Sequence, residues 1–342
     1  MTTVGTRTLT FREALNEAMR LEMRRDPTVI LMGEDVAGGA RTHLEEKGEE
    51  AWGGDLGVTR GLAREFGRNR VLDTPISESS FIGAAVGAAS TGLRPIAELM
   101  FVDFFGVCMD QIFNQGGKMR YMFGGKAKVP IVIRTLYGAG FRAAAQHSAV
   151  LYSVFVHMPG LKVVVPSTPY NAKGLLAASI RDDDPVIFFE HLVLLDSSGP
   201  VPEGEYLVPL GKAEVAREGK DATVVAIGRM RSLSMEAAEQ LAGDGIQVEV
   251  VDPQTLSPLD EETIMQSVKK THRLVVVDED NPRCSVANDI IAMAAHHAFG
   301  YLDSPPVAVT APHTPVPFSP VLEDAYIPST EKIAGAIRGL LG

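Results

Sequence analysis

Residues 71–100 read VLDTPISESSFIGAAVGAASTGLRPIAELM, and this stretch decides the fold. Val71 and Leu72 look like the end of a strand that breaks at Pro75. Phe81 to Ala89 then form an almost polar-free helix, and Pro95–Met100 returns as a strand. Gly83 and Gly87 lie four apart, so they share one helix face and admit a close neighbouring backbone. Glycine inside a helix costs about 1 kcal/mol against alanine, so close packing is expected to offset it. Glu78 stands at the mouth of this helix. Burial against such a surface raises a carboxyl pKa and suits a glutamate to share a proton near neutral pH. On residue types alone the simpler reading is a carboxylate favouring the positive end of a helix dipole.

Upstream, Thr10 and Glu13 form a T-x-x-E capping box, and the helix behind it stops at Pro27. Val29–Met32 reads as a short buried strand, followed by a long glycine- and charge-rich loop over 37–61. Downstream come a helix over Asp103–Phe123 closed by Gly124 and Gly125, strand Pro130–Arg134 and the loop Tyr137–Gln146. Strand Lys162–Val165, helix Tyr170–Arg181 and strand Val186–Glu190 complete this run. Near-continuous apolar strands alternating with helices predict a parallel, doubly wound α/β sheet.

Residues 191–212 lose the rhythm, carry Pro200, Pro202 and Pro209, and are expected to be a linker. A second alternation follows, with strands Ala222–Ile227, Val248–Val251, Leu274–Asp278 and Val307–Val309. Its helices are expected over Ser234–Ala242, Glu261–Val268, Val286–Phe299 and Thr330–Leu341. The 342 residues therefore divide into domains 1–190 and 213–342, both α/β and doubly wound.

Net charge is −11 and the basic residues are scattered, which excludes a nucleic-acid-binding stripe. The N-terminus lacks the apolar core of a signal peptide, and no apolar run is long enough to span a membrane. Cys108 and Cys284 are far apart and read as free thiols. A soluble cytoplasmic protein is expected.

Gln146-His147-Ser148 ends the loop after strand Pro130–Arg134. Ligands in open α/β sheets gather at the carboxyl ends of strands, and Glu78 also follows such an end. The two are expected to meet in one crevice as acid and base; taken singly, His147 also reads as a loop histidine with a structural hydrogen bond. Gly243-Asp244-Gly245 invites comparison with a magnesium–diphosphate clamp. It follows a helix and precedes a strand, the reverse of a phosphate cradle, so Gly243 is read as a helix C-cap. Asp182-Asp183-Asp184 follows a helix whose free carbonyls could join aspartates around a cation; a solvated turn before Pro185 is the plainer reading.

Taken together, TPISE at 74–78, GAAVGAASTGLRPIAELMF at 83–101, MRYMFGGK at 119–126, AAAQHS at 143–148 and PGLKVVVPSTPYNAKGLL at 159–176 resemble one family. It is the β subunits of the thiamine-diphosphate-dependent decarboxylating component of 2-oxo acid dehydrogenase complexes, of transketolase type. VDPQTLSPLDEETI at 251–264 and KKTHRLVVVDED at 269–280 are similar to the family's C-terminal domain. WGGDLGVTRGL at 52–62 and RTLYGAGFRAAAQHS at 134–148 look most like acetoin dehydrogenase β subunits.

The resemblance implies roles. Glu78 matches the glutamate that holds the aminopyrimidine ring nitrogen of the cofactor, and Ile76, Met100 and Phe104 match the pocket lining that ring. His147 matches the histidine near the reacting carbons. Ile131, Ser179, Ile180, Asp182 and Asp184 match a structural monovalent-cation site, usually potassium. A separate α subunit in an α2β2 heterotetramer would hold magnesium and the diphosphate. The implied reaction cleaves acetoin, or decarboxylates pyruvate, and passes the acetyl group to the lipoyl arm of a dihydrolipoyl acyltransferase. The alternatives are a branched-chain 2-oxo acid dehydrogenase β subunit and a non-catalytic docking subunit.

Overall fold

A computed structural model describes residues 5–39 and 53–342. Residues 40–52, most of the expected long loop and the start of the 52–62 motif, lie outside the described residues. The chain forms two compact units. The first holds residues up to Leu136 with His157–Glu190 and Leu194–Leu210; the second holds Tyr137–Val156, His191–Val193 and Gly211–Gly342.

In the first unit the strands are β1 (Thr6–Thr10), β2 (Val29–Gly33), β3 (Val71–Asp73), β4 (Arg94–Phe101), β5 (Val132–Tyr137), β6 (Lys162–Val164), β7 (Val186–His191) and β8 (Ser198–Pro202). Six of them lie in the order β6-β7-β5-β4-β2-β3. The pairs β2–β3, β2–β4, β4–β5 and β6–β7 are parallel, as the unbroken apolar runs imply. Helix α1 (Phe11–Arg25) begins at the expected capping box: Thr10 Oγ accepts from Glu13 N at 3.2 Å, and Thr10 N donates to Glu13 Oε2 at 2.8 Å. Helix α2 (Glu78–Ser90) buries Phe81, Ile82, Ala85, Val86 and Ala89, one face at helical spacing. Helix α3 (Pro169–Arg181) is capped by Thr168, whose side chain accepts from Asn171 N.

Three expectations change here. The helix expected over Asp103–Phe123 is a composite, with a π turn over Gln111–Gly116 between α-helical Phe105–Asp110 and Gly117–Met122. Adjacent glycines at 116 and 117, poor α formers, end that turn. Residues 191–212 are also structured, because β8 pairs antiparallel with β1 from Thr6↔Pro202 to Thr10↔Ser198. Pro200 and Pro202 hid this strand; in a two-stranded sheet every strand is an edge, where proline is tolerated. The glycine pair of α2 does not admit a second backbone among the described residues. A Cβ on Gly83 would meet Gln111 Cγ at 3.1 Å, and one on Gly87 would meet nothing within 4 Å.

The second unit adds β9 (Glu214–Arg217), β10 (Ala222–Ala226), β11 (Val248–Asp252), β12 (Thr255–Ser257), β13 (Leu274–Asp278) and β14 (Val307–Thr310). Five of these form the sheet β14-β13-β10-β11-β9. The pairs β10–β11, β10–β13 and β13–β14 are parallel, and β9 closes one edge antiparallel to β11. Its helices are α4 (Met230–Gly243), α5 (Glu261–Thr271), α6 (Val286–His297), α7 (Pro320–Tyr326) and α8 (Thr330–Leu341). Val224, Val250, Val275 and Val277 of the sheet pack with Ala237, Leu241, Ile333 and Ile337 in one core. Gly243 is the last residue of α4, not the left-handed cap. Gly245 takes that conformation (φ +83°), with Ile246 N donating to Leu241 O at 3.0 Å. Among the described residues no helix is long and apolar enough to cross a membrane. Cys108 is buried, Cys284 is exposed, and both are free.

Candidate active site

The parallel register aligns Gly33 at the carboxyl end of β2 with Asp73 of β3 and Glu98 of β4. Ile76 and Glu78 follow β3, while Met100 and Phe104 come at and just after the end of β4. These four residues therefore flank β2 on its two sides, at the edge where open α/β sheets bind ligands. Glu78 is the first residue of α2 and half-buried. Ser77 spends its hydroxyl on Ser80 Oγ at 2.9 Å and makes no side-chain cap, so Glu78 is the only acid in the helix's first turn. Met100 is buried, Phe104 meets Phe101 edge-on with centroids 5.8 Å apart, and Ile76 is 74% exposed. Of the expected pocket residues, Met100 and Phe104 are thus covered wholly or in part, and Ile76 is open. Burial pushes the Cys108 thiol up to about 12, with the Glu78 charge adding to the shift, which makes this nearby cysteine inert.

Two features at this edge escaped the sequence reading. Glu34, just past β2, is raised above the ordinary carboxyl range by desolvation and then by Asp55, Asp35, Glu78 and Glu98. Beneath Met100 lies a buried triad. Arg134 Nη1 donates to Glu98 Oε2 at 2.7 Å, and Arg134 Nε and Nη2 bind Glu190 Oε1 and Oε2 at 2.6 and 2.7 Å. A small cavity lined by Leu56, Val58, Met100 and Leu136 borders these three side chains. Arg134 sits on β5, between β4 and β7 in the sheet. The available signal was one Glu or Arg inside each of three apolar runs, PIAELMF, VIRTLY and VIFFEH, with opposite signs on neighbouring strands.

The residues of the expected cation turn are engaged with partners from the chain itself. Val186 N donates to Ile131 O at 2.9 Å, Asp182 N to Ser179 O at 3.2 Å, and Arg94 Nη1 to Ile180 O and Asp182 O at 3.1 and 2.9 Å. The carbonyls expected to be free therefore each accept a bond, using one of two lone pairs. The aspartates are paired too: Asp182 with Lys162 and Asp184 with Arg120, each at 2.6 Å. Asp183 binds Lys128 at 2.7 Å and Arg94 at 2.6 Å, and these contacts hold its carboxyl below the usual range against the effect of burial.

His147 lies in the second unit, on the loop after β5, and is half-buried, with its N–H donating to Ala144 O at 3.4 Å. The neighbouring Ser148 is fully buried, and its hydroxyl has no partner among the described residues.

Two doubly wound α/β units, with an acid at the strand ends of the first, define a transketolase-type chain. Residues 7–196 match the family model "Transketolase, pyrimidine binding domain", and residues 211–333 match "Transketolase, C-terminal domain". The chain is 60% identical over 337 residues to "Acetoin:2,6-dichlorophenolindophenol oxidoreductase subunit beta" of Bacillus subtilis (strain 168), covering 98% of each. It is 43% identical over 334 residues to "Pyruvate dehydrogenase E1 component subunit beta" of Rhizobium meliloti (strain 1021), covering 97% of this chain and 70% of that one. A solved "Split gene transketolase, inactive beta4 tetramer" shares the fold, with a TM-score of 0.76 at 21% identity, covering 97% of this chain and 98% of that chain. This chain belongs to the family of β subunits of thiamine-diphosphate-dependent oxidoreductases and 2-oxo acid dehydrogenases. The residues at the open edge fit the pyrimidine half of that cofactor: a half-buried carboxylate beside exposed Ile76, with Met100 and Phe104 across β2.

Proposed function

We propose that this chain, with an α subunit, cleaves acetoin and passes the acetyl group to the lipoyl arm of a dihydrolipoyl acyltransferase in the cytoplasm. Identity of 60% to an acetoin-named β subunit, against 43% to a pyruvate-named one, favours acetoin. The observation that carries the catalytic reading is Glu78, the acid opening α2 at the strand ends.

When bound, thiamine diphosphate would supply a nucleophilic carbon and an electron sink for the cleaved carbon–carbon bond. Glu78 holds a proton shared with the aminopyrimidine ring nitrogen, and so sets the protonation of that ring. Ile76, Met100 and Phe104 give the ring apolar walls, where the shared proton is worth more than in water. His147 is the second proton-handling group: acetaldehyde leaves as the carbon–carbon bond breaks, and the oxidised lipoyl disulfide then opens as it takes the acetyl group, its released sulfur receiving a proton from His147. Magnesium and the diphosphate fall to the α subunit, since the only GDG here closes a helix. A potassium ion would use the second lone pairs of the carbonyls at Ile131, Ser179, Ile180 and Asp182, beside Asp184.

Co-expression with the α chain tests this function. Acetoin-dependent reduction of dichlorophenolindophenol should far exceed that with pyruvate or branched 2-oxo acids. Preference for a 2-oxo acid would reassign the substrate, and activity with none would remove the enzymatic reading.

The assembly surface gives a further expectation. Gly87 is exposed and as alanine would meet nothing within 4 Å among the described residues, so no contact there explains a helical glycine. We assign this face of α2 to a partner subunit. Gly87→Leu should then overpack the contact and raise the subunit dissociation constant about tenfold or more, read by sedimentation on dilution. A variant that assembles and binds thiamine diphosphate like the parent removes the assignment.

A further inference from the structure

The chain before His147 is bent through four left-handed positions: Gly138 (φ +95°), Gly140 (+104°), Arg142 (+65°) and Ala144 (+62°). Two of these must be glycine. A Cβ on Gly138 would lie 2.3 Å from His191 Nε2, and one on Gly140 would lie 2.7 Å from Arg229 Nη1. Arg142 and Ala144 carry side chains in a conformation that persists only where the surroundings over-determine it.

Two buried carboxylates of the same unit supply that determination. Glu279, just beyond β13, accepts from Ala139 N at 2.6 Å through Oε1 and from His191 Nε2 at 2.8 Å through Oε2. Val193 N donates to His191 Nδ1 at 3.1 Å, which fixes the ring proton on Nε2. Desolvation alone would raise Glu279; His191, Arg229 and the Ala139 N–H hold it below the ordinary range. Glu323, on α7, is fully buried. Its Oε1 accepts from Gly140 N at 2.6 Å and Arg142 N at 3.4 Å, and its Oε2 accepts from Arg142 Nη1 at 2.8 Å. Arg142 also reaches Asp324 Oδ1 at 2.6 Å and Pro320 O at 3.1 Å. Beyond His147, Tyr152 bonds to Asp278, and Ser153 Oγ donates to Asp280 Oδ2 at 2.5 Å.

A buried charge is costly unless its partners are fixed, and among the described residues Gly140 and Arg142 supply the donors to the Glu323 carboxylate. A single hydrophobic contact would hold the loop down as well; backbone-directed carboxylates set its path. We infer that Glu323 and Glu279 are positioning residues that hold the backbone leading to His147 in its working conformation. The inference rests on His147 being the catalytic histidine.

The test uses the assembled αβ enzyme and reductive acetylation of a lipoyl domain. Glu323→Gln keeps the shape but turns an amide toward Arg142. It should lower kcat about tenfold or more, leave KM for acetoin within about twofold, and raise deuterium uptake in residues 138–147. In a His147→Ala background it should cause no further loss. Arg142→Gln, on a partly exposed side chain, should give the same pattern if Glu323→Gln does not fold. Unchanged kcat in both folded variants, with His147→Ala defective, overturns the inference alone. So does a loss that multiplies with that of His147→Ala. A parent-like His147→Ala overturns the histidine reading, and the inference with it.

Discussion

Glu78→Gln is expected to lower turnover of the assembled enzyme by about a hundred- to ten-thousand-fold, the range for removing a positioned proton-transfer group. Glutamine matches glutamate in size and keeps a hydrogen bond, but it can neither take nor return a proton. Glu78 is half-buried at a helix start and makes no ion pair among the described residues, so the change should barely affect stability. The loss should therefore appear in kcat, with an unchanged thermal midpoint and with substrate and cofactor still bound. Full activity in this variant would remove Glu78 from the chemistry. A large fall in thermal midpoint would mean that the carboxylate is structural.

The second large effect is on stability. Arg134→Met should destabilise the first unit by about 3–5 kcal/mol at neutral pH, because it leaves Glu98 and Glu190 buried and uncompensated. That corresponds to a fall in melting midpoint of roughly 6–20 °C for a unit of this size. The pH dependence has a definite sign. Desolvation already raises Glu190 against the pull of Arg134; without the arginine that carboxyl rises further. The folded variant then binds more protons than the unfolded chain across the window between the unfolded and folded values of Glu190, so its stability increases as pH falls. The deficit should be largest near pH 8 and shrink towards pH 5, as read by calorimetry at both pH values. A midpoint within about 2 °C of the parent at pH 8 would show that the triad contributes little to stability. A deficit constant with pH would show that the loss comes from packing rather than charge.

The sheets were legible because parallel strands buried on both faces leave a continuous apolar record, as at Val29–Met32 and Leu274–Asp278. What stayed hidden had weak local signals. β8 carries two prolines and pairs only at an edge, and β9 is a half-exposed strand of four residues. The π turn at Gln111–Gly116 differs from an α-helix only in hydrogen-bond register, which no residue pattern marks. At the site, Glu78 stood out as a lone charge just ahead of an apolar helical run. Glu34 and Glu323 did not, since their environments are made by residues distant in sequence. Glu323 acts on Gly140 and Arg142 across some 180 positions. The aspartate run was legible as a turn, but its ring of Arg94, Arg120, Lys128 and Lys162 was not.

The central claim is that this chain carries one half of an active site, the pyrimidine half, and needs an α subunit for the other. Calorimetric titration of thiamine diphosphate with magnesium, into the purified chain and into the co-purified αβ assembly, tests it most directly. The account predicts saturable binding by the assembly, one cofactor per αβ pair, and none by the chain alone. Equal affinity in the isolated chain would contradict it.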